Sequence, residues 1–203
     1  MSDCPVFNAF IGVEAVWDEI YRLTDEIPDA FKQHGLFLSD RKEESHDAGH
    51  TYTRMGFSYE MRGRISKRRS PRQLLFLFDL WRPAPPTSWP HAQEALLTIA
   101  YAVSAKADED WDAEYIVIGT DGRLADDDMH KGCVPHAGGR LLEWKEDREE
   151  WHERAWLFSV PLTRIDGPVA FQREVVEPVI ALLLNGTDPA EALKGTHAIR
   201  FNT

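Results

Sequence analysis

The chain has 203 residues, of which 43% are hydrophobic and 28% are charged, and 23 Lys+Arg against 34 Asp+Glu give a net charge of −11. This composition is typical of a globular protein, and the acidic balance disfavours non-specific coating of nucleic acid or anionic lipid. The densest apolar runs, 74–78, 96–103 and 179–184, are far shorter than the ~20 residues that span a bilayer, so we expect a soluble protein.

The N-terminal part of the chain predicts helices. Residues 8–26 carry apolar side chains at three- and four-residue spacing, which is typical of an amphipathic helix: Val13, Val16, Trp17, Ile20, Tyr21 and Leu23. Pro28 fits the first turn of a second short helix, and Gly35 suits its end. The polar and aperiodic residues 39–50 predict a loop.

Two strands are predicted next. Polar and apolar residues alternate over 51–62, which indicates a half-buried strand. Residues 73–81 are apolar except for Asp79, which predicts a central strand covered on both faces. Because a buried carboxylate needs a partner, we predict that Asp79 pairs with Arg82 or with an arginine of the neighbouring strand.

The middle of the chain is harder to interpret. Four prolines within 82–90 predict a rigid connector. Alanine content and a start at Ser88 or Pro90 favour a helix over 90–103, and a strand over 97–103 is the alternative.

Further strands are predicted in the second half of the chain. The apolar run 114–118 predicts a buried strand, followed by a long loop over 119–139. Residues 140–144 and 156–162 predict two more strands, and the charged stretch between them fits either a helix or a long hairpin.

The C-terminal part predicts a strong amphipathic helix. This helix opens at Pro168, and Pro178 should kink or divide it. Gly186 marks its end. Pro189 starts a last short turn, which Gly195 stops.

Together these elements predict an α+β fold, in which a mostly antiparallel or mixed sheet of about five strands is packed by N-terminal and C-terminal helices in two layers. We expect one domain over residues 1–203. Cys4 and Cys133 are too few for a disulfide framework, and the first residues lack the features of a secretory signal. A cytoplasmic protein is therefore expected.

A basic segment stands out in this acidic chain. Six of the eleven residues of this segment are basic and none is acidic: Arg62, Arg64, Lys67, Arg68, Arg69 and Arg72. As a loop between two strands, it would present donors that suit anions, so we predict binding to a protein or a polyanion, nucleic acid included. A homo-oligomeric contact and a solvated loop without a partner are the alternatives.

A second group suggests a metal site. His130, Cys133 and His136 are spaced as His-x2-Cys-x2-His, and imidazole and thiolate are good zinc ligands. The alternative is a polar loop that happens to contain histidines.

A third group suggests phosphodiester chemistry. A hairpin would place the carboxylates of Asp121 and Glu143 side by side to hold Mg²⁺, with Lys145 positioned to orient a water. This pattern resembles the Asp…Glu-x-Lys half-motif of restriction-endonuclease-like nucleases between Asp121 and Lys145. The resemblance implies a divalent-metal-dependent nuclease, whereas the residues alone also fit a salt-bridged surface strand.

Other enzyme motifs, such as Gly-x-Ser-x-Gly and the phosphate-binding loop, are missing from the sequence. Seven tryptophans are present, and several lie among charged residues, where they could anchor a partner or lie along the sheet. We therefore predict a non-enzymatic macromolecular-binding or regulatory protein that uses the basic segment and surface aromatics. The nuclease is the alternative.

Overall fold

A computed structural model describes residues 5–44, 54–62, 72–80, 88–103, 116–125, 131–144 and 154–202. Its helices are α1 (Pro5–Lys32), α2 (Pro168–Phe171), α3 (Glu177–Leu183) and α4 (Pro189–Ala192), with a π-helical turn at Gln172–Val176. Its strands are β1 (Phe37–Leu38), β2 (Lys42–Glu44), β3 (Arg54–Arg62), β4 (Arg72–Asp79), β5 (Leu96–Val103), β6 (Cys133–His136), β7 (Leu141–Trp144) and β8 (Trp156–Pro161).

The strands form one open antiparallel sheet in the order β1-β3-β4-β5-β8-β7-β6. Strand β2 also pairs with β3, on the same edge as β1, since the other edge of β3 is taken by β4. The predicted α+β class is confirmed, with helices at both ends of the chain. None of the described helices combines the length and the apolar composition that crossing a membrane needs.

The first helix is longer than predicted and is not divided at Pro28. The prediction of a second short helix beginning at Pro28 was therefore wrong. Proline lacks an N–H and cannot bond the carbonyl four residues earlier, which belongs to Thr24. The buried Tyr59 hydroxyl of β3 donates to this carbonyl oxygen at 2.7 Å. The freed acceptor is thus satisfied from the sheet, and the helix continues to Lys32.

The two faces of the sheet bury different sets of residues. On β4, Leu74, Phe76 and Phe78 point to the core beneath the helices, which we call the helix face. Leu75 and Leu77 point to the opposite face, which is covered by irregular segments and by the C-terminal residues near Phe201. Because both faces are buried, β4 carries the continuous apolar run that the sequence showed.

Strand β5 corrects the preferred prediction of a helix over 90–103. Residues 90–94 form turns, and the strand begins at Leu96, between β4 and β8. Its side chains are buried on both faces of the sheet, with Ile99 on the helix face and Ala100 on the opposite one. Burial on both faces removes the polar alternation by which a strand is usually recognised.

Two predicted loops contain strands. Strand β2 lies within 39–50, and β6 lies within 119–139. The strand predicted over 114–118 is not formed in its described part, where Ile118 makes only an isolated bridge to Leu124. Residues 82–87 of the connector predicted over 82–90, and residues 145–153 of the helix or hairpin predicted over 145–154, lie outside the described residues.

The C-terminal helix is not divided at Pro178; it runs from Pro168 to Leu183, with the π-helical turn Gln172–Val176 just before that proline. Within the π-helical turn, the Glu177 N–H bonds the Gln172 carbonyl, five residues earlier. Pro178 has no N–H that could donate to the Glu174 carbonyl oxygen four residues earlier. The wider π-helical turn therefore lies where this α-helical hydrogen bond cannot form. The predicted final turn is α4, which Asp188 caps by accepting from the Ala190 N–H at 2.8 Å.

The predicted partner of Asp79 is confirmed as an arginine of the neighbouring strand. Arg54 lies directly opposite Asp79 in the β3–β4 pair, and its Nε is 3.0 Å from the carboxylate Oδ1. The same guanidinium donates to the carbonyl of Ile116. The pair therefore ties the sheet to the segment that covers its opposite face.

Candidate functional site

A large groove lies between α1 and the segment that follows β8. Its volume is about 1330 Å³, and it is half-open to solvent. One wall is formed by the side of α1 from Val16 to His34, and the other by residues 162–177. Phe78 of β4 contributes to the floor.

The floor of the groove is apolar. It is formed by buried or half-buried side chains from both walls and from the sheet: Ile20, Leu23, Phe78, Leu162, Ile165 and Phe171. Two further apolar residues lie in the open part, where Val16 is 45% exposed and Val169 is 82% exposed. The two exposed valines beside this apolar floor make the groove a candidate interaction surface.

The rim of the groove is mainly acidic. It contains five exposed carboxylates and two arginines: Glu19, Glu26, Asp29, Asp166, Glu177, Arg22 and Arg173. Both guanidiniums are already engaged within the chain, since Arg22 pairs with Glu19 and Glu26, and Arg173 with Glu174. Hydrogen bonding to Arg22 holds the pKa of Glu19 below its ordinary value. The rim therefore presents net negative charge at neutral pH.

The two walls are joined by a hydrogen bond between side chains. The His34 ring Nε2 lies 2.7 Å from Nε2 of Gln172 in the π-helical turn. Both residues are also part of the groove lining. This contact fixes the separation of the walls at the C-terminal end of α1.

The second wall is anchored from below by Glu174, whose side chain is fully buried. Its Oε2 accepts from the backbone N–H of His197 at 2.7 Å, and its Oε1 lies 2.9 Å from the His197 ring Nδ1. Burial alone would raise the pKa of Glu174, but these bonds and that from Arg173 together hold it below its ordinary value. The carboxylate thus stays charged and ties the wall to the C-terminal residues.

The basic residues predicted to bind anions are only partly described. Arg62 is exposed at the end of β3, whereas Arg72 is buried on β4, at 3% exposure. Burial raises the pKa of Tyr101, and the charge and hydrogen bond of Arg72 partly oppose this. Residues 63–71 lie outside the described residues. Arg72 therefore lies within the sheet and not on the surface of a loop.

The structure does not bring the predicted nuclease residues together. Asp121 lies in an exposed turn, where its Oδ1 accepts from the Arg123 N–H at 3.1 Å, over the opposite face of the sheet. Glu143 follows Leu141 by two residues on β7, so both side chains lie on the helix face of the sheet. Lys145 lies outside the described residues.

Glu143 belongs instead to a buried polar group on the helix face. Its Oε2 is 2.6 Å from Nε2 of His136 on β6, and its Oε1 is 3.1 Å from Nη1 of Arg154. Histidine and arginine thus occupy both carboxylate oxygens. Glu143 is therefore salt-bridged, as in the alternative that the sequence left open, but it is buried and not on a surface strand.

The predicted metal ligands are separated as well. Cys133 and His136 are three residues apart on β6, so their side chains point to opposite faces of the sheet. Burial raises the pKa of the Cys133 thiol to about 12. His130 lies outside the described residues, and the described ranges contain no group of three or more His, Cys, Asp or Glu that could hold a metal.

The described tryptophans do not form an exposed aromatic face. Trp17, Trp89 and Trp156 are buried, and Trp144 is half-buried. The Trp89 ring N–H donates to the Arg200 carbonyl at 3.0 Å, which is a structural role. The other tryptophans lie outside the described residues: Trp81, Trp111 and Trp151.

Sequence reasoning missed the groove. The apolar stripe of α1 predicted an amphipathic helix without saying which of its residues stay uncovered, and Val16 is one of them. The stripe is wider than one buried face needs, and this width was the available signal. No protein-family model, curated protein or solved structure matches this chain, so the groove is interpreted from its own chemistry.

Proposed function

We propose that this protein is a binding module that holds a segment of a partner polypeptide in the groove between α1 and residues 162–177. The observation that carries the proposal is the exposure of Val16 and Val169 in one large, half-open apolar groove. Covering such side chains releases water and favours association. Partner segments often bind in this way, by laying an apolar face into a hydrophobic groove.

A polypeptide fits the groove better than a small molecule does. Small-molecule pockets usually measure about 300–1,000 Å³ and enclose most of the ligand. This groove is larger, is half-open, and carries its charged groups on the exposed rim. Its floor provides an apolar contact surface. Its lining residues include no set of ionisable side chains that converge on one point, as a site for a small polar ligand would.

The basic segment remains a proposed second contact, to an acidic protein surface or another polyanion. Antiparallel pairing of β3 with β4 supports this role, because it brings the two ends of the segment together at one end of the sheet. Arg72 is left out of the proposed contact because it is buried. Surface aromatics are left out as well, since the described tryptophans are buried or half-buried.

The proposal is tested with a neutral probe, an amphipathic peptide of about 16 residues with leucines at helical spacing and glutamines elsewhere. Its binding is followed by fluorescence anisotropy. We expect Val169→Asn to weaken binding, and Leu184→Asn to leave it unchanged, because Leu184 is 39% exposed but lies outside the groove. Equal effects of the two substitutions, or no binding to the wild type, would refute the proposal.

A further inference from the structure

We infer that the occupant of the groove is a cationic amphipathic helix of a partner protein. This inference rests on the proposed function and adds the charge and the conformation of the bound segment. Two independent features of the groove carry it: the charge of the rim, and the spacing of side chains along α1.

The charge of the rim favours a basic partner. Five carboxylates stand against two arginines on the rim. Arg22 pairs with Glu19 and Glu26, and Arg173 with the buried Glu174, so Asp29, Asp166 and Glu177 are the rim carboxylates outside these pairs. Asp29 on one wall and Glu177 on the other place negative charge on both sides of the apolar floor. Lysines or arginines flanking an apolar stripe would face these carboxylates, whereas an acidic segment would be repelled.

The spacing of side chains favours a helix. The α1 wall presents Val16, Ile20, Leu23 and Ala30 at intervals of three, four and seven residues, which forms ridges into which another helix can pack. From Val16 to Lys32 the wall is about 25 Å long, the length of a helix of about 16 residues. The groove contains no open sheet edge, since Phe78 lies on β4, between β3 and β5. An added strand would therefore find no backbone partner there.

The basic segment of the chain itself does not meet these requirements. Between Arg62 and Arg72 its only large apolar residue is Ile65, and Gly63 and Pro71 disfavour a helix. The segment supplies charge without an apolar stripe. The basic segment is therefore not the occupant that these features favour, and we assign the occupant to a partner protein.

The test compares four peptides of about 16 residues each. Three have the same leucine stripe at helical spacing, with lysine, glutamine or glutamate at the other positions; the fourth alternates leucine and lysine with a period of two. We expect the helical lysine peptide to bind about ten-fold more tightly than the glutamine peptide at low salt, and the glutamate peptide to bind most weakly. At about 1 M salt, where the screening length is about 3 Å, this difference should largely disappear.

Matched variants assign the charge effect to the rim. Asp29→Asn with Glu177→Gln should weaken binding of the lysine peptide several-fold and leave the glutamine peptide unchanged. Glu14→Gln with Asp18→Asn is the control, since both are exposed on α1 outside the groove. If the lysine and glutamate peptides bound with equal affinity, the inference that the partner is cationic would be overturned. If the alternating peptide bound as tightly as the helical lysine peptide, the inference that the partner is a helix would be overturned. In either case the proposed function would stand if the glutamine peptide still binds at Val169; binding by none of the four would remove both.

Discussion

Val16 and Val169 lie about 150 residues apart in the sequence, yet they line the same groove, and both remain exposed. One belongs to α1, and the other to the first turn of α2. Their presence in one groove depends on both helical parts packing on the same face of the sheet. Two exposed valines that folding places in one groove are the feature on which the proposed function depends.

We expect Tyr59→Phe to destabilise the protein by about 1–3 kcal/mol, the usual cost of leaving a buried polar group without its partner. The Thr24 carbonyl accepts from Tyr59 because Pro28 offers no N–H. Pro28→Ala restores that donor, so the cost of Tyr59→Phe should be smaller in the Pro28→Ala background. Urea unfolding of the four proteins in this cycle measures the difference. An unchanged cost would show that the hydroxyl does not replace the missing helical bond.

We expect Arg54→Met to destabilise the protein by about 1–3 kcal/mol, because it removes one ion-pair partner of the buried Asp79 and the donor to the Ile116 carbonyl. Replacing both residues by apolar ones, Arg54→Met with Asp79→Leu, should recover much of this loss. The measurement is the free energy of unfolding in urea. A double variant less stable than Arg54→Met alone would contradict this account of the pair.

The two strands β3 and β4 were predictable from their patterns, although their antiparallel pairing was not. Alternation over 51–62 indicated one covered face, and the apolar run after it indicated two. Asp79 stood out for the same reason, since a lone carboxylate in such a run needs an arginine nearby. For β4 the local pattern and the tertiary environment agree, whereas residues 56–59 of β3 are buried on both faces and not on one.

Other parts could not be read from local pattern. The residues of β5 are compatible with both helix and strand, and only the position of β5 between β4 and β8 decides. The groove depends on the distance between α1 and residues 162–177, which no local pattern contains. The Asp121–Glu143 pairing failed for a related reason, because one residue lies over each face of the sheet.

We expect the stability of the protein to fall in acid partly through Glu174. Its pKa is lowered in the folded state, so its contribution is fully present above the pKa of the unfolded chain and is lost as pH falls through the folded value. Glu174→Gln should therefore reduce stability at about pH 7 and flatten the decline below about pH 4.5. Unfolding free energies across this range measure both effects. An unaltered slope for Glu174→Gln would show that the carboxylate does not carry the acid sensitivity.

The most direct measurement of the central claim is photo-crosslinking of the helical lysine peptide, with a photoreactive residue in its leucine stripe, followed by mass-spectrometric mapping. We expect cross-links on the two walls of the groove, at residues 16–34 and 162–177, and their loss with Val169→Asn but not with Leu184→Asn. Cross-links that concentrate elsewhere, or that persist equally in both variants, would contradict the assignment of this groove as the binding site.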